Sequence, residues 1–233
     1  MAPNELYQYS TLNALMEDVY HDGIPVSAVS KSGNHGLGTF KDMDGEMVII
    51  DSTVYQMQAG GTIAEADPNT PVPFVQTTNF SPTITKEVPS ISKDGLTAAL
   101  DELAPKAKNH FISVRMDGVF DTVTARTVAK KTPEQKGRSL AENQVVKTWH
   151  GVKGTLIGFR SPEFSQGLSV AGSHIHLISE DRKMGGHVLD FQAHNIKLQI
   201  AVIKNMHLEL PENDEFAAAK LVQTDEDIKA VEG

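Results

Sequence analysis

The last third of the chain has the least freedom in what it can become. Residues 154–159, 173–179, 187–191, 198–203 and 207–210 are short runs of aliphatic and β-branched residues broken by polar turn formers, the pattern of successive strands. Among them stands Gly172-Ser173-His174-Ile175-His176-Leu177-Ile178, followed by Gly185-Gly186-His187. Side chains two apart on a strand share a face. His174 and His176 therefore project together, and Ile175 and Leu177 point to the other face, into a core. Residues 180–186, EDRKMGG, are polar with two glycines. A turn centred near Asp181 and Arg182 returns the chain antiparallel and brings His187 beside His176.

Three imidazoles on adjacent strands suit a metal site with an open position. Catalytic zinc keeps three protein ligands plus water or substrate, whereas structural zinc closes with four, often thiolates. This chain has no cysteine. That removes thiolate ligands, thiolate nucleophiles and disulfides together. Any transition metal must then be held by His, Asp or Glu. The spacing by itself suits hydrogen-bonded structural histidines equally well. His21, His35, His110, His150, His194 and His207 show no such grouping, although His194 lies close to the cluster in sequence.

The earlier part is mixed. Ser10 is placed to cap a helix in which Leu12, Leu15, Met16 and Val19 fall at helical spacing. A second short helix is expected from Pro25. Residues 32–46 read as loop with short strand; 47–51, 54–58 and 74–80 read as strands. Leu96, Ala99, Leu100 and Leu103 mark a helix over 95–104. Asp117-Gly118 between two strand-like runs predicts a hairpin of 111–116 with 119–126. Residues 129–145 are a charged connector, 211–215 a loop, and Thr224 caps a last helix through Ile228 and Val231. Helices with strands, then strands alone, predict an α/β fold of two lobes, 1–140 and 141–233.

The formal charge is −9. It argues against nucleic acid or an anionic membrane as partner, and an anionic substrate would need a local positive focus. No run approaches the ~20 apolar residues of a membrane span. Met1 to Tyr9 lacks the pattern of a signal peptide. A cytoplasmic location is expected.

Several motifs, in order, resemble the alpha-acetolactate decarboxylase family: TLNALM (11–16), GLGTF (36–40), MDGEM (43–47), VYQMQ (54–58), FISVRMDGVF (111–120), ARTV (125–128), VKGTLIGF (152–159), HIHLISEDRKMGGHVLDF (174–191) and LELP (208–211). The resemblance implies a mixed-sheet N-terminal lobe, an antiparallel barrel-like C-terminal lobe and a homodimer. It implies zinc on His174, His176 and His187. It implies catalytic roles for Glu46, Arg126 and Glu232, the last in a tail returning to the site, and substrate contacts from Thr39 and Met43. One departure is local: where the family often reads Val-Pro-Lys-Gln, this chain has Val128-Ala129-Lys130-Lys131.

The implied reaction converts (S)-2-acetolactate to (R)-acetoin and carbon dioxide. Loss of carbon dioxide leaves electrons that spread onto the neighbouring ketone oxygen as an enediolate. Zinc chelating the ketone and hydroxyl oxygens would stabilise that charge, and an acid must then protonate one face. Taken without the family, Arg126 reads as a surface ion-pair partner sharing a strand face with Phe120, Thr122 and Thr124. Glu46 reads as a turn acid, and Arg115 is a second candidate clamp. A cupin-like oxygenase using Glu180 and a non-catalytic zinc module are the rival classes.

Overall fold

A computed structural model of the protein describes residues 2–132, 134 and 143–222. The chain opens with β1 (Glu5–Tyr9), α1 (Leu12–Met16), β2 (Ile24–Pro25), α2 (Val26–Ser32) and β3 (His35–Thr39). It continues through β4 (Glu46–Ile50), β5 (Thr53–Met57), β6 (Ile63–Glu65), β7 (Pro71–Val72) and β8 (Phe74–Thr78). Then come β9 (Ile84–Ser92), α3 (Lys93–Leu103), β10 (Phe111–Val128) and β11 (Gln144–Ser161). The last elements are β12 (Gly172–Ser179), β13 (Gly185–Ile203), β14 (Asn205–Glu209) and α4 (Asp214–Ala218).

Two sheets dominate. The first has the order β14-β1-β8-β3-β4-β5-β6 and is mixed, because β14 joins β1 in parallel while its other pairs are antiparallel. The second is antiparallel, β10-β11-β12-β13-β9, and an extra β10–β13 pairing partly closes it on itself. β13 makes this possible by its length: one edge pairs with β10, and the other takes β12 at residues 185–187 and β9 at residues 192–200. The mixed α/β, strand-dominated fold with one mixed and one antiparallel sheet is the expected one. β9 and β10, which precede residue 140, pair within the second sheet, and β14 rejoins the first.

Apolar side chains from inside the closed sheet, including Val114, Phe120, Leu156, Ile175, Leu177 and Phe191, form the largest core, and Leu96 and Leu100 of α3 pack onto it. Burying each such side chain contributes about 1.5–3 kcal/mol. β4 explains how the sheets meet. Met47 and Ile49 pack beneath α2 with Val26 and Val29. Val48 and Ile50 face the other way, onto Ile157 and Ile178 of the second sheet. A strand covered on both faces carries the unbroken apolar run MVII seen here.

Local signals were overridden in several places. Asp117-Gly118 makes no hairpin, because β10 runs straight through it. Gly118 sits at φ +157°, and the register slips between Asp117 and Phe120. Ladders on both edges of β10 hold the chain extended through Asp117-Gly118, and the slip is taken up as a bulge on β13, which spends four residues against three of β10. Runs 187–191 and 198–203 are likewise parts of one strand, β13, which continues past Asn195 at φ +52°. Thr11, not Ser10, caps α1: its extended backbone lets its hydroxyl accept from Ala14 N, whereas Ser10 lies at φ +64°. Asn213 caps α4 within the expected loop at 211–215. Thr224, Ile228 and Val231 lie outside the described residues.

Candidate metal centre

The two-residue period places the histidines as expected. His176 and His187 are directly opposite in the β12–β13 ladder. Ile175 and Leu177 are fully buried in the core behind them. The connecting turn holds through Ser179: its N–H donates to Met184 O at 2.8 Å, and its hydroxyl accepts from Met184 N at 2.9 Å. Arg182 takes the left-handed corner at φ +57°.

Two glycines permit the close approach. A Cβ on Gly186 would lie 2.4 Å from Arg126 O, and one on Gly158 would lie 2.0 Å from His174 O. Neither contact exists in real structures, so the strands around the site can pack only with glycine there.

The candidate ligand atoms of His174, His176 and His187 lie within 4.8 Å of one another. All three residues are buried. Burial pushes His174 down to about 3, with Arg126 and Lys93 adding to it. Burial likewise holds His176 and His187 well below the usual imidazole range. All three are neutral at physiological pH, the form that binds metal. His176 Nδ1 donates to Met47 O at 2.8 Å, which leaves Nε2 as the candidate ligand atom. His174 Nδ1 and His176 Nε2 are buried without a hydrogen-bond partner. Buried imidazole nitrogens left without a hydrogen-bond partner are costly unless something binds them. The donor set fits a divalent metal with nitrogen preference.

Arg126 and Glu46 stand beside this cluster. Arg126 is opposite His187 in the β10–β13 ladder. Its Nη1 lies 3.6 Å from Glu46 Oε1, and Glu46 Oε2 lies 3.6 Å from His176 Nε2. Both side chains are under one tenth exposed. The surface reading of Arg126 fails because the first sheet covers this stretch of β10's outer face. Phe120 does not share that face: a second slip leaves Asp121 as an extra residue between Phe120 and Thr122, and it turns Phe120 into the core. Glu46 is no simple turn acid. It begins β4 opposite Thr39, whose hydroxyl donates to Gly45 O at 2.8 Å and shapes the preceding turn. Gly45 sits at φ +88° in that turn.

A cleft opens onto the histidines and is lined by Thr39, Met43, Glu46 and Arg126. Its remaining walls are Gly38, Leu12 and Leu15 of α1, and Phe74 of β8. The structure thus brings together every predicted site residue except Glu232, which lies outside the described residues. The three apolar wall residues were missed as site residues. Leu12 and Leu15 read as the buried stripe of an amphipathic helix, and no linear pattern tells a stripe facing a core from one facing a cleft. Arg115 is not part of the cleft, being tied to Asp51 at 2.8 Å and Asp117 at 2.9 Å. His194 pairs with Asp121 at an exposed position. Glu180 pairs with Lys153 and does not join the histidines, so the cupin-type ligand set is not assembled.

A family model for alpha-acetolactate decarboxylase matches residues 6–223. The chain belongs to the alpha-acetolactate decarboxylase family. Family membership makes it an enzyme of the carboxy-lyase class. The chain is 37% identical over 222 residues to the alpha-acetolactate decarboxylase of Brevibacillus brevis, covering 94% of this chain and 78% of that protein. It is 35% identical to that of Klebsiella aerogenes, over 93% and 84% of the two chains. The crystal structure of alpha-acetolactate decarboxylase from Bacillus subtilis strain 168 superposes with a TM-score of 0.91 at 31% identity, covering 98% of this chain and 99% of that one. Among the described residues no helix is long and apolar enough to cross a membrane.

Proposed function

We propose that this decarboxylase-family enzyme is zinc-dependent and converts (S)-2-acetolactate to (R)-acetoin and carbon dioxide, with the metal on His174, His176 and His187. The observation that carries the reading is the buried, neutral histidine triad opening onto a cleft that also holds the Arg126–Glu46 pair. Relatives named alpha-acetolactate decarboxylase support the choice of substrate.

When bound, zinc supplies a Lewis acid where negative charge develops on the substrate. The chain's own groups do the rest. Arg126 provides the positive focus that an anionic substrate needs on a protein of net charge −9, and its guanidinium orients the carboxylate that leaves. It is too weak an acid to deliver a proton. Glu46, buried and within reach of the cleft, takes that role by relaying a proton that it first takes up from solvent. Glu232 is a second candidate carrier, resting on the family resemblance. Thr39 and Met43 contact the substrate, and Leu12, Leu15 and Phe74 keep water from the carbanionic carbon. We also read the enzyme as a cytoplasmic homodimer serving acetoin and butanediol formation, on the strength of the family and the cysteine-free sequence.

The deciding assay follows acetoin formed from fresh racemic 2-acetolactate, before and after chelation and with zinc restored. Chelator-sensitive acetoin formation recovered by zinc is expected. A folded, zinc-loaded protein that does no better than the spontaneous reaction would remove the reading.

A further inference from the structure

The apolar wall of the cleft has a back as well as a front. Leu15, Met43 and Phe74 face the histidines. The same three pack behind the cleft against Tyr20 and Val128 as a separate apolar cluster. Against this cluster lies a buried cation. Lys131, only 4% exposed, stands over the Tyr20 ring with Nζ 5.2 Å from its centroid. Its Nζ lies 3.2 Å from Asp18 Oδ1, and its backbone N–H donates to Asp42 O at 2.7 Å.

The residues it holds are strained ones. Asp18 lies at φ +63°, and Asp42 and Met43 both at φ +58°. Non-glycine residues seldom occupy the left-handed region, least of all a long side chain such as Met43, unless the surroundings over-determine them. Here they do. Asp42 N donates to Tyr20 O at 2.9 Å, and His21 Nδ1 lies 2.8 Å from Asp42 Oδ1. Lys131 completes the arrangement by tying the loop after α1 and the loop before β4 to the end of β10, the strand that carries Arg126. Two consecutive left-handed residues turn the Met43 side chain into the cleft.

We propose that Lys131 is a positioning residue: its backbone N–H holds Asp42, its buried ammonium holds Asp18 and the Tyr20 ring on which the Asp42-Met43 corner rests, and together they set how large an alkyl group the cleft accepts beside the histidines. The inference rests on the decarboxylase reading. An ion pair of the same strength elsewhere would affect stability alone; this one holds the residues that form the substrate-facing wall.

The test compares Lys131→Met with wild type on 2-acetolactate and on its ethyl homologue, 2-aceto-2-hydroxybutyrate, in zinc-loaded enzyme. Metal content should be unchanged. KM for 2-acetolactate should rise more than kcat falls, and the ratio of kcat/KM values should shift toward the ethyl homologue by about tenfold, the scale of one methylene in an apolar pocket. Lys131→Arg should restore most of the wild-type preference. Asp18→Asn breaks the same tie from its other end, and should shift the ratio in the same direction even if Lys131→Met does not fold. Variants that lose thermal stability but keep the wild-type ratio would overturn the proposal and leave Lys131 a structural ion pair. A wild-type enzyme that forms no acetoin would instead sink the decarboxylase reading itself.

Discussion

Glu46 is a carboxylate held between a guanidinium and an imidazole, both within 3.6 Å, with almost no access to solvent. Such a group is constrained in position and open to proton exchange only through the cleft. Glu46→Gln keeps the shape and removes the proposed proton carrier. Turnover should fall about 10²–10⁴-fold with zinc content unchanged; equal kcat and equal acetoin chirality would remove Glu46 from the relay. His35 offers a different residue-scale prediction. It is buried at the far end of β3, stacked on Phe80 and edge-on to Phe159. Burial lowers it to about 3. The unfolded chain protonates this histidine near 6.5, and the folded chain does not until about pH 3. Stability linked to His35 is therefore full above about pH 6.5 and declines as pH falls toward 3, by up to about 1.4 kcal/mol per unit. Denaturant titrations of wild type and His35→Gln across that range should diverge in slope, and parallel curves would show that His35 does not carry the dependence.

At the scale of elements, the β12–β13 pair is the most legible part of the chain. A His-x-His run, a short turn with two glycines and a third histidine leave one register that keeps Ile175 and Leu177 in the core, and that register is the one found. The neighbouring strand is a sterner constraint. β11 approaches β12 so closely at Gly158 that an added methyl would collide with His174 O. Gly158→Ala should cost about 1–3 kcal/mol as overpacking, and it should weaken zinc binding because the collision falls on a proposed ligand residue. Full stability and unchanged zinc affinity would show that the ladder yields more easily than its geometry implies. Less legible was the Asp117-Gly118 step, a hairpin by every local measure. Its fate was decided by two partner strands that lie far away in sequence, and no local preference competes with ladders on both edges.

On the scale of the molecule, the proposed site is split across the sheet interface, and Arg126 lies on the same side as the histidines. His174, His176 and His187 sit in the second sheet; Glu46, Thr39 and Met43 arrive with the first. Zinc should therefore stabilise the fold by mass action, about 2.7 kcal/mol when free zinc is a hundred times its Kd. Thermal melts with chelator and with added zinc should differ by several degrees, and identical melting temperatures would argue that the triad holds no ion. The sequence by itself determined the strand-rich α/β class, the histidine cluster and its register, because two-residue periodicity and a short turn are local properties. The family motifs likewise pointed to Glu46 and Arg126 before any coordinates. Tertiary packing alone settles that Arg126 is buried rather than exposed, that Leu12, Leu15 and Phe74 line a cleft, and that Lys131 stands behind it. Each of those depends on one sheet docking against another, and a contact between distant segments leaves no periodic mark in either of them.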